Sequence, residues 1–257
     1  MARLPGAGAA PGASAGLVLA GHRVAIFGLV TRQSLSFAVA AGAQALGAEV
    51  VLAAPAGLGR LTGLVAEGLP RPAALLDAQS GAEPLRGVDG VFLPLTRPGP
   101  RPYGPHFSRP APAGAGERFR MLGALARTLE AAAAAGQGRA TAVVLHDFDP
   151  AAPAAWESRG DTTIRDGVQR LAAEHGPGGL RINLLRTGPV ATIAAHEPGH
   201  AAGVHRRYAA APLGWDATDP RPAADAACFL LSPLSARICG QVLVVDGGHE
   251  AAAATGR

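Results

Sequence analysis

A glycine that ends an apolar run and a serine that opens a helical one are the first residues here with chemistry in their spacing. The run His22–Gly28 (HRVAIFG) stops at Gly28, and Ser34 begins the stretch SLSFAVAAGAQAL. A glycine at such a place lets the backbone approach a phosphate group. The first helical turn adds N–H groups without partners and the favourable end of the dipole. Ser34 doubles as an N-cap. Glu157, Asp161 and Arg165 stand at near-helical spacing and read as a solvated, salt-bridged face. The histidines of HEPGH (His196, His200), with His146 and His205, suggest a metal at first sight. Proline and glycine break the face that HExxH needs, so no metal is expected.

The elements that must position these groups alternate. Strands are predicted at His22–Gly28, Glu49–Ala53, Ala73–Leu76, Gly90–Leu95, Ala140–Leu145, Leu180–Leu185 and Gln241–Asp246. Helices are predicted at Ser34–Leu46 with Gly47 as C-cap, Leu58–Glu67, Glu117–Ala135, Thr162–His175 and Pro222–Leu231. Such alternation implies an α/β fold: a Rossmann-like, doubly wound, seven-stranded parallel sheet with helices on both faces. Between Gln79 and Asp89 stands only SGAEPLRGV, enough for about one turn, so that crossover helix is expected to be shortened. Thr96–Gly116 reads as a long loop rich in Pro, Gly and Arg. One domain is expected over residues 21–250, between flexible tails at 1–20 and 251–257.

Composition agrees with a single domain. The 257 residues are 48% apolar but only 4% aromatic, so Ala, Val and Leu must build the core. All 23 basic residues are arginine, and the net charge is +4. The arginines are scattered or sit in the Pro-rich loop (Arg97, Arg101, Arg109), without a basic helix or interleaved aromatics, which argues against nucleic acid. A basic rim better suits an acidic protein partner. Cys228 and Cys239 are too few for a disulfide framework and form no CxxC pair; they read as thiols in a reducing cytoplasm. Met1–Gly21 is too broken by Gly and Pro for a signal peptide or membrane span.

Four stretches carry a resemblance: TAVVLHDFDP (Thr141–Pro150), RINLLRTGPVAT (Arg181–Thr192), APLGWDATDP and GQVLVVDGGHE. Together they resemble the enoyl-acyl carrier protein reductases, a group of the short-chain dehydrogenases. The resemblance implies NADH or NADPH as cofactor, an enoyl thioester as substrate and acyl carrier protein as partner. It also implies a cytoplasmic oligomer, commonly a tetramer, in which PLSARICGQVLVVDGG packs between subunits. Gly28, Ser34 and Leu35 look like the group's form of the phosphate turn. Asp77 and Ala78 match the adenine segment, and Gly188-Pro189-Val190-Ala191-Thr192 matches the nicotinamide-side turn. There the Val190 backbone and Thr192 hydroxyl would face the carboxamide. Phe148 matches an aromatic flanking the nicotinamide, and Tyr208 lies by the substrate loop.

The chain also departs from the group. Phe27 stands where a small residue is usual, and Pro94-Leu95-Thr96-Arg97 replaces a small, glycine-bearing turn beside the ribose. No acidic residue closes the second strand, so nothing there selects NADH over NADPH. The largest departure is chemical. The group uses a tyrosine and a lysine on the helix after the fifth strand; this chain has no lysine, and its tyrosines are Tyr103 and Tyr208. Anchoring on Leu171–Gly176 puts Ala154 and Asp161 at the two positions; anchoring on His146–Pro150 puts Glu157 and Ile164 there. No catalytic residue is therefore assigned. Three readings stay open: a reductase working by positioning alone, a catalytically inactive subunit that scaffolds an active relative, and a pocket turned to non-redox chemistry.

Overall fold

Arg23–Phe27 (β1) is apolar and buried through its centre, as suits a strand covered on both faces. The computed structural model describes residues 17–29, 31–54, 57–76, 85, 87–96, 141–148, 159–190 and 208–255. The other strands are β2 (Glu49–Ala53), β3 (Ala74–Leu76), β4 (Gly90–Thr96), β5 (Thr141–Phe148), β6 (Leu180–Thr187) and β7 (Val242–Val245). They lie in the order β3-β2-β1-β4-β5-β6-β7, and every pair is parallel. The helices are α1 (Leu35–Ala45), α2 (Gly59–Ala66), α3 (Arg159–His175), α4 (Arg221–Leu231) and α5 (His249–Ala254).

Alternate strand residues feed two cores. Val24, Ile26, Val50, Leu52, Phe92 and Leu185 pack with residues of α1, α2 and α4. Ala25, Val51, Val91, Ile182 and Leu184 pack with Val168, Leu171 and Ala172 of α3. The expected class, a parallel sheet with helices on both faces, is thus what the molecule has. Small side chains bring α1 and α4 close: Ala40 and Ala43 are buried with Ala223, Ala224 and Ala227, and a Cβ on Gly42 would lie 3.4 Å from the Cys228 sulfur. Burial pushes the Cys228 thiol up to about 12, with the Asp225 carboxylate adding to the effect, so it stays un-ionised. Both cysteines are free thiols.

Helix ends follow the capping residues. The Ser34 hydroxyl accepts from the Phe37 N–H at 3.2 Å and starts α1. At the other end Gly47, with φ +96°, follows the last turn, and the Ala48 N–H donates to the Ala43 carbonyl. The Gln44 side chain then ties α1 to the segment after α2, exchanging hydrogen bonds with the Arg71 backbone. Inside the sheet, the buried Arg181 guanidinium donates to Ser235, Ile238, Leu230 and Ser232. It fastens the segment between α4 and β7 to the start of β6.

The chain departs from expectation at both flanks. Leu19, placed by the sequence in a loose tail, is fully buried and its N–H donates to the Leu46 carbonyl. The tail expected from Ala251 is instead helical through Ala254, in α5, because the Asp246 carboxylate accepts from the Gly248 and Glu250 N–H groups. The expected helix Glu117–Ala135, the Pro-rich loop beyond Thr96 and the crossover segment 77–84 lie outside the described residues. No described helix is long and apolar enough to cross a membrane.

Candidate functional site

The sheet order reverses at β1, which has β2 on one side and β4 on the other. In an open parallel sheet the crevice at the carboxyl ends of such strands is where ligands bind. Gly28 leaves β1 there with φ +72°, a left-handed conformation that an L side chain adopts only at a cost. The β1–β4 ladder runs to Ile26 and Phe92, and just beyond it the Pro94 ring closes on Gly28. A Cβ on Gly28 would stand 2.7 Å from the Pro94 Cγ. Glycine is thus required twice over. Gly28→Ala is expected to lower stability by about 1–2 kcal/mol from the backbone alone, read by denaturant unfolding, with the displaced Pro94 adding to that loss.

Past Gly28 the chain turns into α1. The Ser34 hydroxyl donates to the Thr31 carbonyl at 2.7 Å while accepting from Phe37, so capping occupies it. The N–H groups of Leu35 and Ser36 stand in the first turn, where no carbonyl among the described residues serves them. The Thr31 hydroxyl is buried without a hydrogen-bond partner. The free first turn of α1 is the part of this turn that an anion could meet, since the Pro94 ring takes the space beside Gly28. Phe27, the bulky departure, packs against the core cluster of Ala25, Val91 and Leu184.

The second turn follows β6. The Gly188 N–H donates to the Val245 carbonyl at 2.9 Å, which binds the turn to β7. The Trp215 ring lies flat on Gly188: a Cβ there would stand 2.5 Å from its nearest ring atom. Its indole N–H donates to the Pro189 carbonyl at 2.7 Å. Beyond Trp215 opens a cavity of about 840 Å³, lined by Tyr208, Trp215, Asp216, Asp219, Val245 and Gly247 among others. Tyr208 lies against His249, with ring centroids 4.2 Å apart, and 6.3 Å from Trp215. At the rim, hydrogen bonds from Arg221 hold the exposed Asp219 carboxyl down to about 2, and those from Thr218 lower Asp216.

Comparison with known proteins gives this frame a family. The family described as Enoyl-(Acyl carrier protein) reductase matches residues 163–250. The enoyl-[acyl-carrier-protein] reductase [NADH] of Mycolicibacterium smegmatis is 31% identical over 90% of this chain and 97% of its own length. The chain belongs to the enoyl-acyl carrier protein reductases. A second reductase of this kind, from Mycobacterium avium, is 29% identical over the same shares of both chains. One from Synechocystis is 38% identical over 32% of each.

Of the residues expected in a reductase site, Gly28, Ser34 and Leu35 come together at the first turn, and Gly188, Pro189 and Val190 at the second. Tyr208 lines the cavity beside the second turn. Phe148 ends β5 in register with Thr96 of β4. Asp77, Ala78 and Thr192 lie outside the described residues, as do Ala154 and Glu157. Asp161 and Ile164 fall within α3, the helix that follows β5. Sequence reading passed over Thr31 and the hold of Trp215 on Gly188. The sequence held a partial signal for the second: the glycine of a Gly-Pro turn leaves room for close approach, and PLGW supplies one of the chain's two tryptophans.

Proposed function

We propose that this reductase relative binds NADH or NADPH across the carboxyl edge of its sheet and retains a divergent, weak enoyl-thioester reduction. Acyl carrier protein is the carrier of its substrate, and the cytoplasm its compartment. The frame is a single domain over residues 21–250, a doubly wound seven-stranded sheet with one crossover shortened. The observation that carries the reading is the Gly28 turn. Its free α1 N-terminus and buried, unpartnered Thr31 hydroxyl support a diphosphate there, with the left-handed Gly28 setting the turn.

When bound, the dinucleotide supplies a hydride. The chain's own residues hold and orient it. Leu35 and Ser36 N–H groups and Thr31 meet the diphosphate, with Ser34 shaping the turn as its cap. Asp77 and Ala78 meet the adenine. Gly188, Pro189, Val190 and Thr192 meet the carboxamide, while Phe148 and Tyr208 border the acyl group. With no tyrosine–lysine pair, whatever rate remains comes from holding the reactants together.

A second reading, a catalytically inactive subunit that scaffolds an active relative, is favoured by the absence of any lysine. Either way we assign assembly with copies of itself or with relatives to the α4–β7 edge. Phe229, Leu234 and Val244 are exposed there, at 38%, 71% and 39%.

Isothermal titration of the purified chain with NADH and NADPH tests the proposal. Micromolar binding of either supports it, and the tighter of the two identifies the cofactor. No heat at millimolar concentrations of both would overturn the cofactor site and leave the scaffold.

A further inference from the structure

Trp215 bonds to the turn after β6 through one edge of its ring and lies flat on that turn's glycine. Its indole N–H is 2.7 Å from the Pro189 carbonyl oxygen. Its ring atoms lie 2.5 to 2.8 Å from where a Cβ of Gly188 would stand. Pro189 is buried, and its carbonyl, deprived of the indole, would lose the donor that meets it there. The Val245 carbonyl holds the same turn one residue earlier, through the Gly188 N–H. The Pro189–Val190 backbone is thus held from β7 on one side and from Trp215 on the other. The Gly28 turn is remote from this arrangement, on β1, with β4 and β5 between it and β6.

We propose that Trp215 is a positioning residue for the nicotinamide end of the cofactor and for that end alone. It fixes the direction of the Pro189–Val190 backbone, and hence of the groups that meet the carboxamide. The inference rests on the cofactor reading above and deepens it. Phenylalanine at this position keeps an aromatic ring on Gly188 and removes the N–H donor.

The test compares unaltered chain and Trp215→Phe by calorimetric titration with NADH and with ADP-ribose, which has the adenosine diphosphate but no nicotinamide. NADH affinity is expected to fall about 3- to 10-fold, the worth of one buried hydrogen bond. ADP-ribose affinity is expected to stay within about 2-fold, which also shows that the variant is folded. Equal losses for both ligands, or no loss for NADH, would overturn the proposal. Should the variant not fold, Trp215→Tyr, which also keeps a ring on Gly188 and lacks the indole N–H, serves for the same comparison. An unaltered chain that binds neither ligand would overturn the cofactor reading itself, and this inference with it. An unaltered chain that binds both, with no NADH-selective effect in the variant, would overturn this inference alone.

Discussion

Arg181→Ala is expected to destabilise the chain by about 3–4 kcal/mol, among the larger effects of single substitutions. The guanidinium is buried and has no carboxylate among its partners in the described residues. It donates instead to the Ser235 carbonyl at 2.7 Å, the Ser235 hydroxyl at 3.0 Å and the carbonyls of Leu230, Ser232 and Ile238 at 3.2 to 3.3 Å. Burial lowers its pKa, with the opposing influence of Cys239 smaller, yet an arginine in this setting remains a cation. Alanine would strand those acceptors at the end of α4 and leave a cavity. A fall in melting temperature of about 10 °C should accompany the loss. Arg181→Lys should recover only part of it, because an ammonium cannot fork toward both ends of the segment at once. The effect should reach the site: this segment leads into β7, whose Val245 carbonyl holds the Gly188 turn.

The sheet was legible because its strands are short apolar runs, with glycine soon after β1, β6 and β7, and such runs suit strands covered on both faces. Gly28, Ser34 and Gly47 were legible for a related reason: each meets a local backbone demand that few residue types satisfy. Local signals failed where the deciding contact is distant in sequence. Nothing in GLVLA announces that Leu19 fills the core beside α1, since the carbonyl that meets its N–H is that of Leu46. The α5 helix was missed because DGG looks like the end of a fold, while its Asp246 carboxylate is a cap for the alanines that follow. Arg181 in RINLL resembles an ordinary polar interruption of a strand; its partners lie beyond Phe229. The Trp215 ring likewise becomes part of a site only when the turn after β6 is brought against it.

Reduction of an enoyl thioester is expected to run on the order of 10² to 10⁴ times slower than in a reductase with the tyrosine and lysine intact. Hydride arriving at the β-carbon leaves negative charge on the thioester oxygen, and a phenol hydrogen bond is what ordinarily stabilises it. The ammonium beside it lowers the phenol's pKa and fixes the ribose. Here the corresponding positions carry Ala154 and Asp161 in one register, Glu157 and Ile164 in the other. A carboxylate facing the developing enolate would repel it, and an alkyl group would do nothing for it. The deficit should therefore appear in kcat, while dinucleotide affinity, set by the turns at Gly28 and Gly188, is retained. Single-turnover oxidation of bound NADH by a saturating enoyl thioester measures that step free of product release. The paired variants Ala154→Tyr with Asp161→Lys, and Glu157→Tyr with Ile164→Lys, decide the register: the correct pair should raise the rate by at least about tenfold. A natural rate already in the range of the intact enzymes would mean that another donor reaches the enolate. Tyr208, beside the second turn on the cavity wall, would then be the first residue to replace. If neither pair raises a slow rate, neither register brings the pair to the substrate, and the scaffold reading gains the argument.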